Sequence, residues 1–205
     1  MLHLSWRTQF YIGVLLFLVL VATRSHHFID SMHLPDASYA IFFLVGFYLY
    51  VPLTWLLFMA LAVIVDCIAI NWFGVSGFCI TPAYLALLPA YAVLWFAGRK
   101  YRQGWVKANC QNTFLMFIPL FGTASAAALA AELLASGSFY FFSGHFAQPT
   151  LTGFMLRLLL YFPQTWIAMM FYISIATLLH STLYFAWLGQ RRLGDRFKEM
   201  IKPLY

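Results

Sequence analysis

The residue with the most pointed chemistry is Cys79. It stands in Ser76-Gly-Phe-Cys79-Ile-Thr-Pro82, two residues before a Thr-Pro pair that suits a helix start, with Thr as N-cap and Pro at the first position. A helix N-terminus lowers a thiol's pKa and favours the thiolate, the form that binds metal. Free cysteine is also commonly a small buried hydrophobe, and spacing alone leaves that reading open. Cys67 and Cys110 lack such a setting. Asp66 is the only acid deep in the second apolar block. An ionisable residue there is costly and marks either a functional site or a structural ion pair, with Arg24 or Arg157 as the cation. Arg157, at the mouth of the last apolar run, is also placed to hold a polar substrate group. His26, His27 and His33 with Asp30 are zinc-ligand types, but no His-Glu-x-x-His pattern occurs and adjacent histidines on a helix point about 100° apart. A closed zinc site is not expected, and His180, deep in the last apolar run, reads as a satisfied interior histidine. Phe139-Tyr-Phe-Phe142 and Trp72-Phe73 read as an interfacial belt or as walls for a large flat ligand. No Gly-x-x-x-x-Gly-Lys-Ser/Thr loop is present, so nucleotide hydrolysis by that machinery is excluded.

The elements that must position these residues follow from composition. The chain has 205 residues, 63% hydrophobic and 9% charged, where a soluble domain carries about 25% charge. Too few charges exist to cover a surface in water, so an integral, all-α membrane protein is expected. Three cysteines do not make a disulfide scaffold. The formal charge of +6 raises the question of nucleic acid, but its placement answers it. Arg99, Lys100, Arg102 and Lys107 form one cluster and Arg191, Arg192, Arg196, Lys198 and Lys202 another, both at the ends of apolar runs where cytoplasmic anchors lie. They serve as topology signals with an anionic-lipid contact in addition, and no nucleic-acid partner is implied.

Six spans are expected, at about 8–23, 37–51, 52–70, 82–98, 112–135 and 163–188, in one transmembrane domain covering 1–205. The apolar stretch 37–70 is 34 residues long. As one helix it would reach roughly 50 Å against a bilayer core of about 30 Å, so a break at Pro52 is favoured. Pro89 is expected to kink the fourth span. Gly122 and Ala126, four apart in the fifth, are expected to allow close helix approach. Residues 136–157 read as a long aromatic, polar loop. With both termini inside, ten Lys and Arg lie inside and two outside; a five-span count gives the same ratio, so length decides for six. The external loops 24–38, 71–81 and 136–157 then collect almost every reactive side chain.

His26-His27, the Asp66 span, Ser76-Gly-Phe-Cys79-Ile-Thr-Pro-Ala-Tyr84 and Ser138-Phe-Tyr-Phe-Phe-Ser-Gly144, in that order among six short spans, resemble the BtuM family. These are small bacterial cobalamin transporters of the inner membrane, similar in fold to the substrate-binding S-components of energy-coupling-factor transporters. The resemblance extends over nearly the whole chain. It implies cobalamin as the transported ligand, with Cys79 as axial ligand of its cobalt in place of the nucleotide base, and His27, Asp66 and Tyr84 around the corrinoid. Arg157 has no matching position and rests on its place at the span mouth. S-components that dock on a shared ATPase module carry small residues four apart in the first helix. Here Gly13 is followed by Phe17, so the chain resembles the solitary members, and docking on an energy-coupling-factor module is not implied.

A corrinoid is wide, flat and amide-rich, and its cobalt already holds four equatorial nitrogens, so one thiolate completes what the protein must offer. Thiolate donation is expected to promote loss of an upper cyanide ligand, with reductant from outside, as chemistry accessory to transport. Two other classes remain open from sequence. One is an intramembrane redox enzyme using the thiol or holding haem between His27 and His180, which lie near opposite ends of their spans. The other is a structural membrane subunit without ligand, in which Cys79, Asp66 and Tyr84 tolerate substitution.

Overall fold

The computed structural model describes residues 5–24, 34–73, 81–108 and 117–201. Among them the fold is all-helical, with no strand: α1 (Trp6–Arg24), α2 (Ser38–Tyr48), α3 (Thr54–Phe73), a 3-10 turn (Pro82–Ala86), α4 (Leu87–Ala108), α5 (Phe117–Phe142) and α6 (Leu151–Ile201). Four stretches are long and apolar enough to cross a membrane: Trp6–Arg24, Thr54–Trp72, Phe117–Phe142 and Leu151–Ala186. Their outward faces carry large apolar side chains such as Phe10, Leu15, Leu57, Ile64, Ile118 and Leu159, a surface suited to lipid.

The chain divides into two compact units, Met1–Met170 and Phe171–Tyr205. The first holds the helix bundle. The second continues α6, and within it Thr177 Oγ1 donates to the Ile173 carbonyl at 2.6 Å, so its hydroxyl is satisfied by the helix itself.

In the first unit α2 is the central element. It spans only 11 residues and is buried continuously from Ala40 to Gly46, as expected of a helix that is apolar all round. Its tightest contact is with α4. A Cβ on Gly46 would lie 2.0 Å from the Trp95 carbonyl oxygen, and a Cβ on Gly98 would lie 2.0 Å from that of Phe43. The two helices therefore meet backbone to backbone through a reciprocal glycine pair, the device by which helices associate where no hydrophobic effect drives them together. Phe42 stacks on Tyr91 of α4, ring centroids 4.1 Å apart and planes within 9°, just above this crossing.

The chain breaks between α2 and α3 around Pro52, with Leu49 extended and its amide on Val45 O at 3.0 Å. Gln9, buried on α1, accepts the Tyr50 amide at 3.0 Å and ties α1 to this corner. Pro89 lies in the first turn of α4, directly after the 3-10 turn, and not at a mid-helix kink. A first-turn proline removes a donor that has no intrahelical acceptor, so the helix tolerates it.

Three local expectations are corrected. Residues 136–157 are not a long loop: α5 continues to Phe142 and α6 starts at Leu151, leaving only 143–150 between them. The polar residues that suggested a loop are satisfied in the helix, Ser138 by the Ala135 carbonyl and Ser136 by Glu132, while Tyr140 packs against Phe154 and Phe146. Pro163 lies inside α6, not at its start. Thr150 caps that helix, its Oγ1 accepting the Gly153 amide at 3.1 Å. Gly122 is not a close-approach site within this chain, since a Cβ there meets nothing within 4 Å.

Candidate functional site

The end of α1, the start of α2, the second half of α3, the 3-10 turn and the start of α4 converge on one guanidinium. Arg24, the last residue of α1, donates from Nε to Asp66 Oδ1 at 2.6 Å and from Nη2 to Asp66 Oδ2 at 2.7 Å. This two-pronged geometry is the strongest that a carboxylate and a guanidinium form. Its Nη1 donates to Ser38 Oγ and to Tyr91 Oη, both at 2.9 Å. Ser38 in turn donates to Asp36 Oδ1 at 2.7 Å, so a second carboxylate is linked to the same cation through one hydroxyl. Tyr84, on the 3-10 turn, donates its phenol to Asp66 Oδ2 at 2.6 Å. The Arg24 and Asp66 side chains are 11% and 22% exposed, so the pair is sheltered yet reachable from the helix ends.

The arrangement has a sequence cause. Arg24 ends α1, where a cation complements the helix C-terminus, and Ser38 begins α2 under the Asp36 carboxylate, which accepts the Ser38 amide at 2.9 Å. Thr23 accepts the Ala37 amide at 3.3 Å, fastening the two helix ends side by side. The 3-10 turn is set off by Pro82 and packs on α5, where Ser138 Oγ lies 3.4 Å from the Ala83 carbonyl.

A second polar knot adjoins the first. Tyr39 lies edge-on to Tyr91, centroids 6.2 Å apart, and donates its hydroxyl to Glu132 Oε2 at 3.0 Å; Ser136 donates to Glu132 Oε1. Glu132 is 7% exposed, and hydroxyls from α2 and α5 are its partners. Six elements thus share one polar end, with three carboxylates and one guanidinium.

Neither a protein-family model nor a curated protein matches the chain. Assignment of the site therefore rests on its own geometry.

Of the residues singled out in the sequence, Asp66 and Tyr84 are brought into direct contact. The partner of Asp66 is Arg24, not Arg157. Arg157 is exposed and lies over the rings of Phe146 and Tyr140, its guanidinium carbon 4.6 and 5.7 Å from their centroids. It belongs to the aromatic knot where α5 turns into α6. Cys79 and His27 lie outside the described residues, as do His26, Asp30 and His33. The described chain resumes at Thr81, two residues after Cys79, and stops at Arg24, three before His27. Both segments therefore attach at the polar end. His145 sits by the Phe139 ring, 5.7 Å between centroids. Among the described residues no three His, Cys, Asp or Glu side chains are grouped to hold a metal ion.

Glu132, Ser38, Tyr39 and Tyr91 were not singled out. Glu132 carried a usable signal, being the one acid in the alanine-rich stretch of α5. The two tyrosines and the serine carried none, because nothing local separates them from the other aromatic and small residues of the chain.

Chemically, the cluster offers a fixed carboxylate, phenols of set orientation and a sheltered cation. That is a surface for positioning a polar ligand edge. By itself it holds neither a nucleophile with its base nor a metal-ligand set.

Proposed function

We propose that the chain takes up cobalamin across the bacterial inner membrane as a six-span protein with both termini in the cytoplasm. In this reading the corrinoid enters from the outer side, Cys79 supplies a thiolate to the cobalt, and His27, Asp66 and Tyr84 meet its edge, with Arg157 at the rim. The observation that carries the proposal is the direct Asp66–Tyr84 hydrogen bond of 2.6 Å, between residues 18 apart, at the end where the segment bearing Cys79 rejoins the described chain. Two residues that the BtuM resemblance assigns to the ligand are thereby neighbours in space. An amide-rich ligand edge finds matching donors and acceptors in the phenols and carboxylates of the cluster. Transport is the main activity, and loss of an upper cyanide ligand to an external reductant is accessory to it. Function without a dedicated ATPase module forms part of the same reading.

The test is the visible absorption spectrum of purified protein, parent and Cys79→Ala, after exposure to cobalamin and removal of excess ligand. A retained corrinoid whose shifted spectrum reverts in Cys79→Ala is the expected result. Retention without a shift removes Cys79 as cobalt ligand, and no retention by folded protein overturns the proposal. For the accessory chemistry, Cys79→Ser must remove cyanide more slowly than the parent.

One observation favours a second reading, a structural subunit without ligand: both Asp66 oxygens are already taken by Arg24 and Tyr84. The same spectrum separates the two, because a structural subunit retains no corrinoid.

A further inference from the structure

Away from the polar end, the first unit carries a wide apolar groove of about 900 Å³ between α4 and α5, with Trp55 of α3 as its side wall. Its floor is made of small residues. Ala92 and Ala97 of α4 face Gly122, Ala126 and Ala130 of α5, which recur every four residues. Gly122 and Ala126 are exposed. Along each helix the lining runs from Pro89 to Ala97 and from Gly122 to Ala130, a rise of about 12 Å. That is close to the depth of one leaflet, half of a hydrocarbon core of about 30 Å.

The groove has a polar end as well. α5 returns antiparallel to α4, since Ser138 near its end meets Ala83 just before α4 begins, so Gly122 and Ala97 share the end where α4 becomes basic. Lys100 Nζ lies 5.1 Å from the centroid of Phe96 and the Arg99 guanidinium carbon 5.2 Å from that of Trp95, and both rings line the groove. Arg99 Nη1 also donates to the Tyr50 carbonyl at 3.2 Å, and Arg102 lies 4.3 Å over the Tyr50 ring, outside the groove. Among the described residues, Trp95 Nε1 and Arg102 Nη1 are buried with no acceptor, enclosed by protein and not open to the groove.

We propose that this groove binds one phospholipid with an anionic headgroup, an acyl chain lying along Gly122, Ala126 and Ala130 and the phosphate region set beside Lys100 and Arg99. Charge complementarity selects this occupant over a neutral lipid, since two cations, Arg99 and Lys100, stand at the same end of the groove over rings that line it. The depth matches one chain of one leaflet. The inference is independent of the cobalamin reading, because the groove shares no residue with the Arg24 cluster.

The experiment is native mass spectrometry of detergent-purified protein titrated with phosphatidylglycerol, and with phosphatidylcholine of the same acyl chains. The parent should keep one phosphatidylglycerol at concentrations where phosphatidylcholine is lost. Lys100→Gln should weaken phosphatidylglycerol retention about fivefold, the effect of one basic residue at a membrane surface. Ala126→Leu, at an exposed position, should abolish retention of both lipids while leaving the melting temperature of the protein unchanged, which separates a filled groove from a misfolded chain. Equal retention of the two lipids by the parent, or undiminished retention in Ala126→Leu, overturns the proposal. So does a parent dimer that Ala126→Leu converts to monomer, since a second copy would then be the occupant.

Discussion

Removing Arg24 should cost far more than removing the whole ion pair. In Arg24→Met the Asp66 carboxylate loses both guanidinium bonds, of 2.6 and 2.7 Å, and keeps only the Tyr84 phenol, while Ser38 and Tyr91 each lose a donor at 2.9 Å. Breaking one partner of a buried pair costs about 3–5 kcal/mol. With side chains 11% and 22% exposed, the lower end of that range applies, about 3 kcal/mol. Asp66→Leu should cost a similar amount, because it strands the cation and the Tyr84 hydroxyl. In the double variant no charge is stranded. What remains is the loss of three bonds to neutral hydroxyls, at about 1 kcal/mol each, so the double should cost about 3 kcal/mol rather than 6. The coupling of about 3 kcal/mol is read from a double-mutant cycle by reversible unfolding in mixed micelles, without ligand. Arg24→Lys should recover less than half of the loss, since an ammonium cannot repeat the two-pronged bond. Additive single costs, or a coupling below about 0.5 kcal/mol, would show that Arg24 and Asp66 are adjacent without being a unit.

Gly98→Ala and Gly46→Ala should each destabilise by about 3 kcal/mol or more in the same unfolding assay, because the added carbon would sit 2.0 Å from a backbone oxygen. Gly122→Ala, with nothing within 4 Å, should leave stability unchanged or raise it slightly. Tyr84→Phe, which removes one hydroxyl and its bond to Asp66, should cost about 1 kcal/mol in stability and, on the cobalamin reading, weaken corrinoid retention in an equilibrium dialysis measurement. Trp166→Phe should change unfolding free energy by under about 1 kcal/mol, since its bond to Ser125 at 2.9 Å is exposed and such bonds are weak in membrane bundles.

How much of this was legible in the sequence depends on whether the cause was local. Helices, the break at Pro52 and the apolar outer faces follow from runs of side chains along one segment, and the structure shows them. The misread loop at 136–157 failed for a tertiary reason: Ser136, Ser138 and Tyr140 resemble loop residues until Glu132 and Phe154 are placed beside them. Asp66 announced itself by its charge, and Arg24 was one of two cations available to it; only three-dimensional packing chose between Arg24 and Arg157.

The small residues teach the same distinction more sharply. Gly122 and Ala126 have the spacing that permits two helices to touch, yet they line an open groove, whereas Gly46 and Gly98, neither with a small residue four positions away in its own helix, bring two backbones together. Spacing within one helix shows that approach is sterically allowed. It carries no information about which helix arrives, because that depends on a second surface elsewhere in the chain. A glycine pair split between α2 and α4 is therefore invisible to a reading that moves along one segment at a time. The same holds for the meeting of Tyr39 and Tyr91 with Glu132, which follows from that crossing even though the lone acid of α5 stands out by itself. Burial of α2 against α4 makes these three side chains part of the polar end, where the described chain resumes at Thr81 after the Cys79 segment.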